Sequence, residues 1–282
     1  MRFSANPIVP ISLIVAALVF VLPSVAQQQT SPSDTDLPIE GILLRLQIHL
    51  WNYMANVPSF FCDEHVISDI SQIRLTARSV ANSGRTTTDS IFHLKRSDPG
   101  VVPVRLTEAR EIKAVNNKPA QGEAITGPAI FSGAFSSGLN VVSLDLMPCY
   151  DYRVVPGQRL HHAPVLVIDY ALKASVAANN NCPGPEAETG RAYIDPQTFQ
   201  LLRIEMRTPN HELTPGSSTL TLWTWSVDYA PVTFDNKLFW MPKTIDSAVT
   251  ANDGSTRWSF AATYRNYHKL NVTSRIVTTS DN

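Results

Sequence analysis

The chain has 282 residues, 44% of them hydrophobic, and its 23 basic side chains nearly cancel 24 acidic ones. With no run of like charge, it lacks the electrostatic footprint of a nucleic-acid or anionic-membrane binder, so its partners are expected to be neutral or apolar. The three cysteines, Cys62, Cys149 and Cys182, allow one disulfide and leave one thiol over.

Taken in chain order, the N-terminus reads as a signal peptide. Arg2 is a positive start, an apolar run follows over residues 8–22, and the small residues Ser24 and Ala26 precede Gln27. Cleavage after Ala26 is the reading, with a retained anchor as the alternative. The run is broken by Pro7, Pro10 and Pro23, and a membrane span wants roughly 20 continuous apolar residues. No cysteine stands near the cleavage region, which disfavours a lipid anchor. Residues 27–36 are polar and aperiodic and read as a flexible tether. Residues 37–282 are expected to form a single, mostly antiparallel β domain, exported to the periplasm or the exterior.

Ile39, Ile42, Leu43, Leu46, Leu50, Tyr53 and Met54 recur at helical spacing, with Asp36 able to cap, Pro38 in the first turn and Pro58 past the end. The period then changes to about two, predicting strands over residues 73–80, 90–96, 150–155, 165–172, 191–195, 201–207, 219–229, 240–245 and 258–267. Residues 103–115 read as a strand although TEAREIKA has helical propensity. Turn chemistry falls at Ser83-Gly84, Asn116-Asn117, Pro156-Gly157, Asp195-Pro196, Thr214-Pro215-Gly216, Asp235-Asn236 and Asp253-Gly254. A short additional helix is expected around residues 131–139, over one face or end of the sheet. The fold class is therefore mainly β (α+β), a curved antiparallel sheet or half-barrel with the N-terminal helix and that short helix on its concave side.

Phe239, Trp240, Trp223, Trp225 and Trp258 are candidate fillers of the concave side. Trp223 and Trp225 share one side of their strand with Thr219 and Thr221, while Leu222, Thr224 and Ser226 take the other. A face mixing Thr with Trp could line a groove that is only partly filled. Trp223 and Trp225, facing Leu43, Leu46 and Leu50 of the helix, are accordingly the candidate ligand-binding residues, able to take an acyl chain.

Cys62, Asp63, Glu64 and His65 are the residue types of a nucleophile with its base. In a strand, however, Cys62 and Glu64 face one side and Asp63 and His65 the other, so Cys62 is expected to be a buried, unreactive thiol. His161-His162 lacks the further ligands a metal site needs. No nucleophile elbow, phosphate loop, dinucleotide fingerprint or Cys-x-x-Cys is present. No catalytic residue, metal or cofactor is assigned. The disulfide is expected between Cys149 and Cys182, which lie at the open end of one predicted hairpin.

Four segments carry a family resemblance: Pro58-Ser59-Phe60-Phe61-Cys62, GRAYIDPQTFQLLRIE (190–205), VDYAPVTFDNKLFWMP (227–242), and residues 260–276 with their YRNYHKL. Together they resemble a large family of exported bacterial proteins without an assigned activity, whose pattern is similar to the outer-membrane lipoprotein carrier superfamily of LolA, LolB and RseB. The resemblance implies an incomplete antiparallel barrel wrapping helices, with an apolar concavity for acyl chains, and transfers no catalytic residue. The loop at residues 179–185 and the hairpin at His161 depart from that pattern and could cover the concavity. The expectation is a non-enzymatic binding or carrier protein for a lipid, lipopeptide or other apolar ligand. The alternatives are a structural or signalling interaction module with an envelope protein partner and, behind both, a cysteine hydrolase using Cys62.

Overall fold

In the computed structural model, the described residues are 37–74, 79–97, 104–122, 134, 135, 140–174, 182, 186–212 and 220–270. All belong to one compact unit, Asp34–Asn282. The expected signal peptide, the tether and most of the helix expected over residues 131–139 lie outside them; Ala134 and Phe135 form a turn.

Helix α1 (Ile39–Asn56) follows its apolar periodicity and buries Ile42, Leu43, Leu46, Leu50 and Tyr53. Each such burial is worth about 1.5 to 3 kcal/mol. Pro38 stands at the N-cap, where its missing N–H is no loss, and the helix closes with the Val57 N–H donating to the Tyr53 carbonyl. The last turn has no basic residue of its own. Arg96 supplies the charge from a neighbouring strand, donating to the carbonyls of Met54 (2.5 Å) and Ala55 (2.9 Å).

Eleven strands follow: β1 (Phe60–Arg74), β2 (Ser79–Arg96), β3 (Leu106–Val115), β4 (Lys118–Pro119), β5 (Tyr150–Leu160), β6 (Ala163–Leu172), β7 (Thr189–Ile194), β8 (Leu201–Glu212), β9 (Leu220–Phe234), β10 (Lys237–Ala251) and β11 (Thr256–Lys269). They form one open, wholly antiparallel sheet in the order β4-β3-β2-β1-β11-β10-β9-β8-β7-β6-β5. Every step but β1 to β11 joins sequence neighbours; that pairing, Glu64 opposite Tyr264, welds the two arms together.

The strand expected over residues 73–80 is instead the junction of β1 and β2, which meet at Arg74 opposite Ser79. Ser83-Gly84 is likewise no turn: Gly84 sits inside β2 opposite Ile70, where the longer strand's cross-strand pairing overrides the local turn preference. The β5–β6 hairpin turns at His161-His162, both left-handed (φ 47° and 72°). Pro156-Gly157 makes a bulge within β5, Gly157 taking φ 70°. Asn116-Asn117 and Asp235-Asn236 turn as expected, with left-handed pairs that suit a tight hairpin. The Thr214-Pro215-Gly216 turn lies outside the described residues.

One face of the sheet, here the inner face, carries the core. Phe60 stacks with Phe234 at 5.7 Å, Phe92 with Phe135 at 4.3 Å, and Tyr53 meets Phe239 edge-on at 6.5 Å. The segment 190–205 is held in place by specific contacts. Tyr170 crosses over Gly190 to donate to the Glu205 carbonyl (2.7 Å), and a Cβ at Gly190 would lie 2.2 Å from its ring. The Asp195 carboxylate accepts from the N–H groups of Gln197 and Thr198 and from the Thr198 hydroxyl, fixing the turn. Burial works against that charge, but the Thr198 hydrogen bonds hold the carboxyl below its usual range. His49 and Arg45 then pin α1 to this turn, through the Thr198 carbonyl at 2.9 Å and the Phe199 ring at 4.3 Å. Among the described residues, no helix is long and apolar enough to cross a membrane.

Candidate functional site

The accumulated twist of a many-stranded sheet makes each face concave along one diagonal. On the face away from α1, that concavity is a trough of about 1060 Å³. Its floor is set by register. One cross-strand row runs Arg153, Asp169, Arg191, Glu205, Ser226, Asp246, Ala261, Ile67. The next row runs Asp151, Ala171, Thr189, Arg207, Thr224, Ala248, Ser259, Asp69, Arg85. Both rows line the trough. Small side chains at Ala171, Thr189, Thr224, Ser226, Ala248, Ser259 and Ala261 leave the middle of the floor low, and longer charged ones stand around them.

The charges are largely organised among themselves. At one end, Arg85 donates through Nε to Asp69 Oδ1 (2.7 Å) and through Nη2 to Oδ2 (2.9 Å). Hydrogen bonds from Arg85 hold the Asp69 carboxyl below its ordinary range, and Arg257 adds to the effect. At the other end, Asp169 receives Arg191 at 2.7 Å and Arg153 at 2.8 Å. Burial opposes that charge, but the two arginines keep the carboxyl low. Along one flank, Arg203 is shared between Glu205 and Asp228, each at 2.7 Å. Asp246, half-buried beside this group, is raised by burial and by Asp228 against the pull of Arg203. The Arg207 side chain, on the floor, makes no hydrogen bond or ion pair among the described residues.

Leu43, Leu46, Leu50 and Trp225 are 0%, 2%, 8% and 5% exposed, so these four candidate ligand-binding residues are buried, and of them Trp225 is also among the residues that line the trough. Trp223 packs partly buried against that cluster and donates its indole N–H to the Ser247 hydroxyl at 3.0 Å. By strand alternation the two indole rings leave the sheet on the side opposite the charged rows, so the trough opens across the sheet from the groove expected beneath these rings although Trp225 contributes to its lining. Thr224 and Ser226, which alternate with the tryptophans, belong to its floor. The signal that could have found it is a run of small residues at alternate positions of successive strands, legible only once register is known.

Cys149 and Cys182 form the expected disulfide, with Cα atoms 5.6 Å apart. Cys62 is free and fully buried. Burial, with Glu64 and Asp63 nearby, pushes its thiol well up. His65 is on the other side of β1, paired with Asp89 at 2.6 Å, so the two do not meet. Glu64, buried on the inner face, accepts from Ser90 (2.6 Å), Arg110 (2.9 Å) and Tyr264 (2.9 Å). His161 and His162 are exposed turn residues. Among the described residues, no group of three or more His, Cys, Asp or Glu converges as metal ligands would. Comparison with known proteins finds no family model that matches this chain and no match among curated proteins.

Proposed function

We propose that this is a non-enzymatic, exported binding or carrier protein for a lipid, lipopeptide or similar amphipathic ligand, and that the ligand lies in the trough. The observation that carries the reading is the floor itself: small side chains over several adjacent strands, framed by charge, in a volume suited to a ligand of several hundred daltons. A sheet face meant only for solvent has no need to keep so many adjacent positions short. The Cys149–Cys182 disulfide supports an oxidising, extracytoplasmic compartment.

Native mass spectrometry of the protein purified from periplasm tests this, alongside Ala248→Trp, which fills the floor without touching the core. The expected result is a co-purified amphiphile that the variant lacks. Protein that is empty in both forms, and that binds no lysophospholipid by calorimetry, would overturn the reading.

A second reading, an interaction module, is favoured by one feature. Leu44, Ile48 and Trp51 form a stripe on α1 that is 42%, 42% and 56% exposed. Site-specific photo-crosslinking at Trp51 in cells that captures one defined envelope protein, with Ala248→Trp leaving that contact intact, would favour it instead.

A further inference from the structure

We propose that the side of the trough between Arg207 and Arg257 is a subsite for an anionic head group, a phosphate or carboxylate, of a ligand whose tail lies along the small-residue floor; this rests on the binding reading above. All five basic residues lining the trough are arginines: Arg85, Arg153, Arg191, Arg207 and Arg257. Arginine's planar fork, unlike the ammonium of lysine, matches a carboxylate or phosphate with paired hydrogen bonds. Three of the five are already engaged, Arg85 with both oxygens of Asp69 and Arg153 and Arg191 with Asp169.

The other two are not. The Arg207 side chain has no hydrogen bond or ion pair among the described residues, and Arg257 only feels the charge of Asp69, whose oxygens Arg85 already occupies. Each therefore has its hydrogen-bonding fork available to the trough they both line.

Their placement gives the subsite a shape. Arg207 on β8 continues through Thr224 on β9 and Ala248 on β10 to Ser259 on β11, and Arg257 lies two residues before Ser259 on the same side of β11. Neighbouring strands are about 4.8 Å apart, so the two Cα positions stand about 14 Å apart across the strands of a floor concave toward the ligand. Long guanidinium side chains can close on a head group from both ends of that span, above residues too short to obstruct it. Charge on the opposite flank sets direction. There Arg203 is already shared by Glu205 and Asp228, and Asp246 adds another carboxylate with no cation of its own on the floor. An anion is repelled from that flank and drawn to the Arg207 side.

Calorimetry at low ionic strength with lauroyl lysophosphatidic acid, monolaurin and inorganic phosphate tests the proposal. The acid should bind at least about tenfold more tightly than monolaurin, and less so as salt is raised. Arg207→Ala and Arg257→Ala should each weaken the acid about tenfold and leave monolaurin unchanged, with Arg207→Lys retaining part of the affinity. Neither arginine forms an ion pair among the described residues, and circular dichroism of each variant checks that the fold is kept. Inorganic phosphate that binds as tightly as the lysolipid, and depends on Arg207, keeps the anion subsite and makes a free anion its ligand. Equal binding of lysophosphatidic acid and monolaurin, or unchanged affinity in both alanine variants, overturns the subsite while leaving the trough reading in place. Lysolipid binding that survives Ala248→Trp also overturns it. No binding of any of the three probes removes both readings.

Discussion

The two faces of the sheet use the same chemistry, arginine against carboxylate, in opposite ways. On the inner face, Glu64 is wholly buried, with Arg110 only 14% exposed beside it, and Ser90 and Tyr264 donate to the same carboxylate. On the trough face, Arg85 and Asp69 are 68% and 40% exposed and carry little load for the fold. A buried pair is a structural commitment, because removing one partner leaves an uncompensated charge in a poor solvent. An exposed pair is an adjustable surface. That contrast fits the proposed binding role of the trough face and leaves the inner face to hold the sheet on the helix.

The largest expected effect comes from breaking the buried pair. Arg110→Ala should destabilise the protein by about 3 to 5 kcal/mol in urea denaturation. A loss below about 1 kcal/mol would mean the Glu64 network is not the anchor described here. The inner face also offers a sharper comparison within itself. Glu188 is a half-buried carboxylate, and it accepts a hydrogen bond from the Tyr150 hydroxyl rather than pairing with a cation. Burial raises its carboxyl from the usual 4.5 to about 7. Because the folded value lies above the unfolded one, the stabilising effect of protonation is fully present below about pH 4.5 and is lost as pH rises through about 7. Stability of the parent should fall by about 3 kcal/mol across that window relative to Glu188→Gln. Parallel pH profiles for the two proteins would remove Glu188 from this role. The smallest effect is expected on the trough face, where Arg85→Ala should change stability by less than about 1 kcal/mol. A larger loss would mean the exposed pairs help hold the sheet's shape.

Local patterns made the inner face readable and left the trough hidden. The helix was legible because its apolar residues repeat at the helical period, and the Asn116-Asn117 and Asp235-Asn236 turns because those residues accept left-handed backbone. Cys62 could be separated from His65 by strand parity alone. The Cys149–Cys182 pairing followed from two positions flanking one hairpin, even though the turn itself falls at His161-His162 and not at Pro156-Gly157. There, a proline and a glycine that usually announce a turn serve a bulge instead. The trough had no comparable local signature. Thr224, Ala248 and Ser259 are unremarkable singly and become a floor only when the registers of β9, β10 and β11 align them. Large aromatics such as Trp223 and Trp225 serve chemistry and core alike, and in this sheet their short neighbours mark the concavity.

An open sheet exposes two rows of unsatisfied backbone groups, each a template for another chain. Here one outermost strand, β4, is only Lys118 and Pro119: a charge beside a residue without an N–H to offer. The other, β5, is interrupted by the Pro156-Gly157 bulge and edged with Arg153 and Arg159. A second copy finds no straight, continuous ladder at either end. Both margins thus work against fibre-like stacking, so the sheet can leave its trough uncovered without inviting polymerisation along its edges.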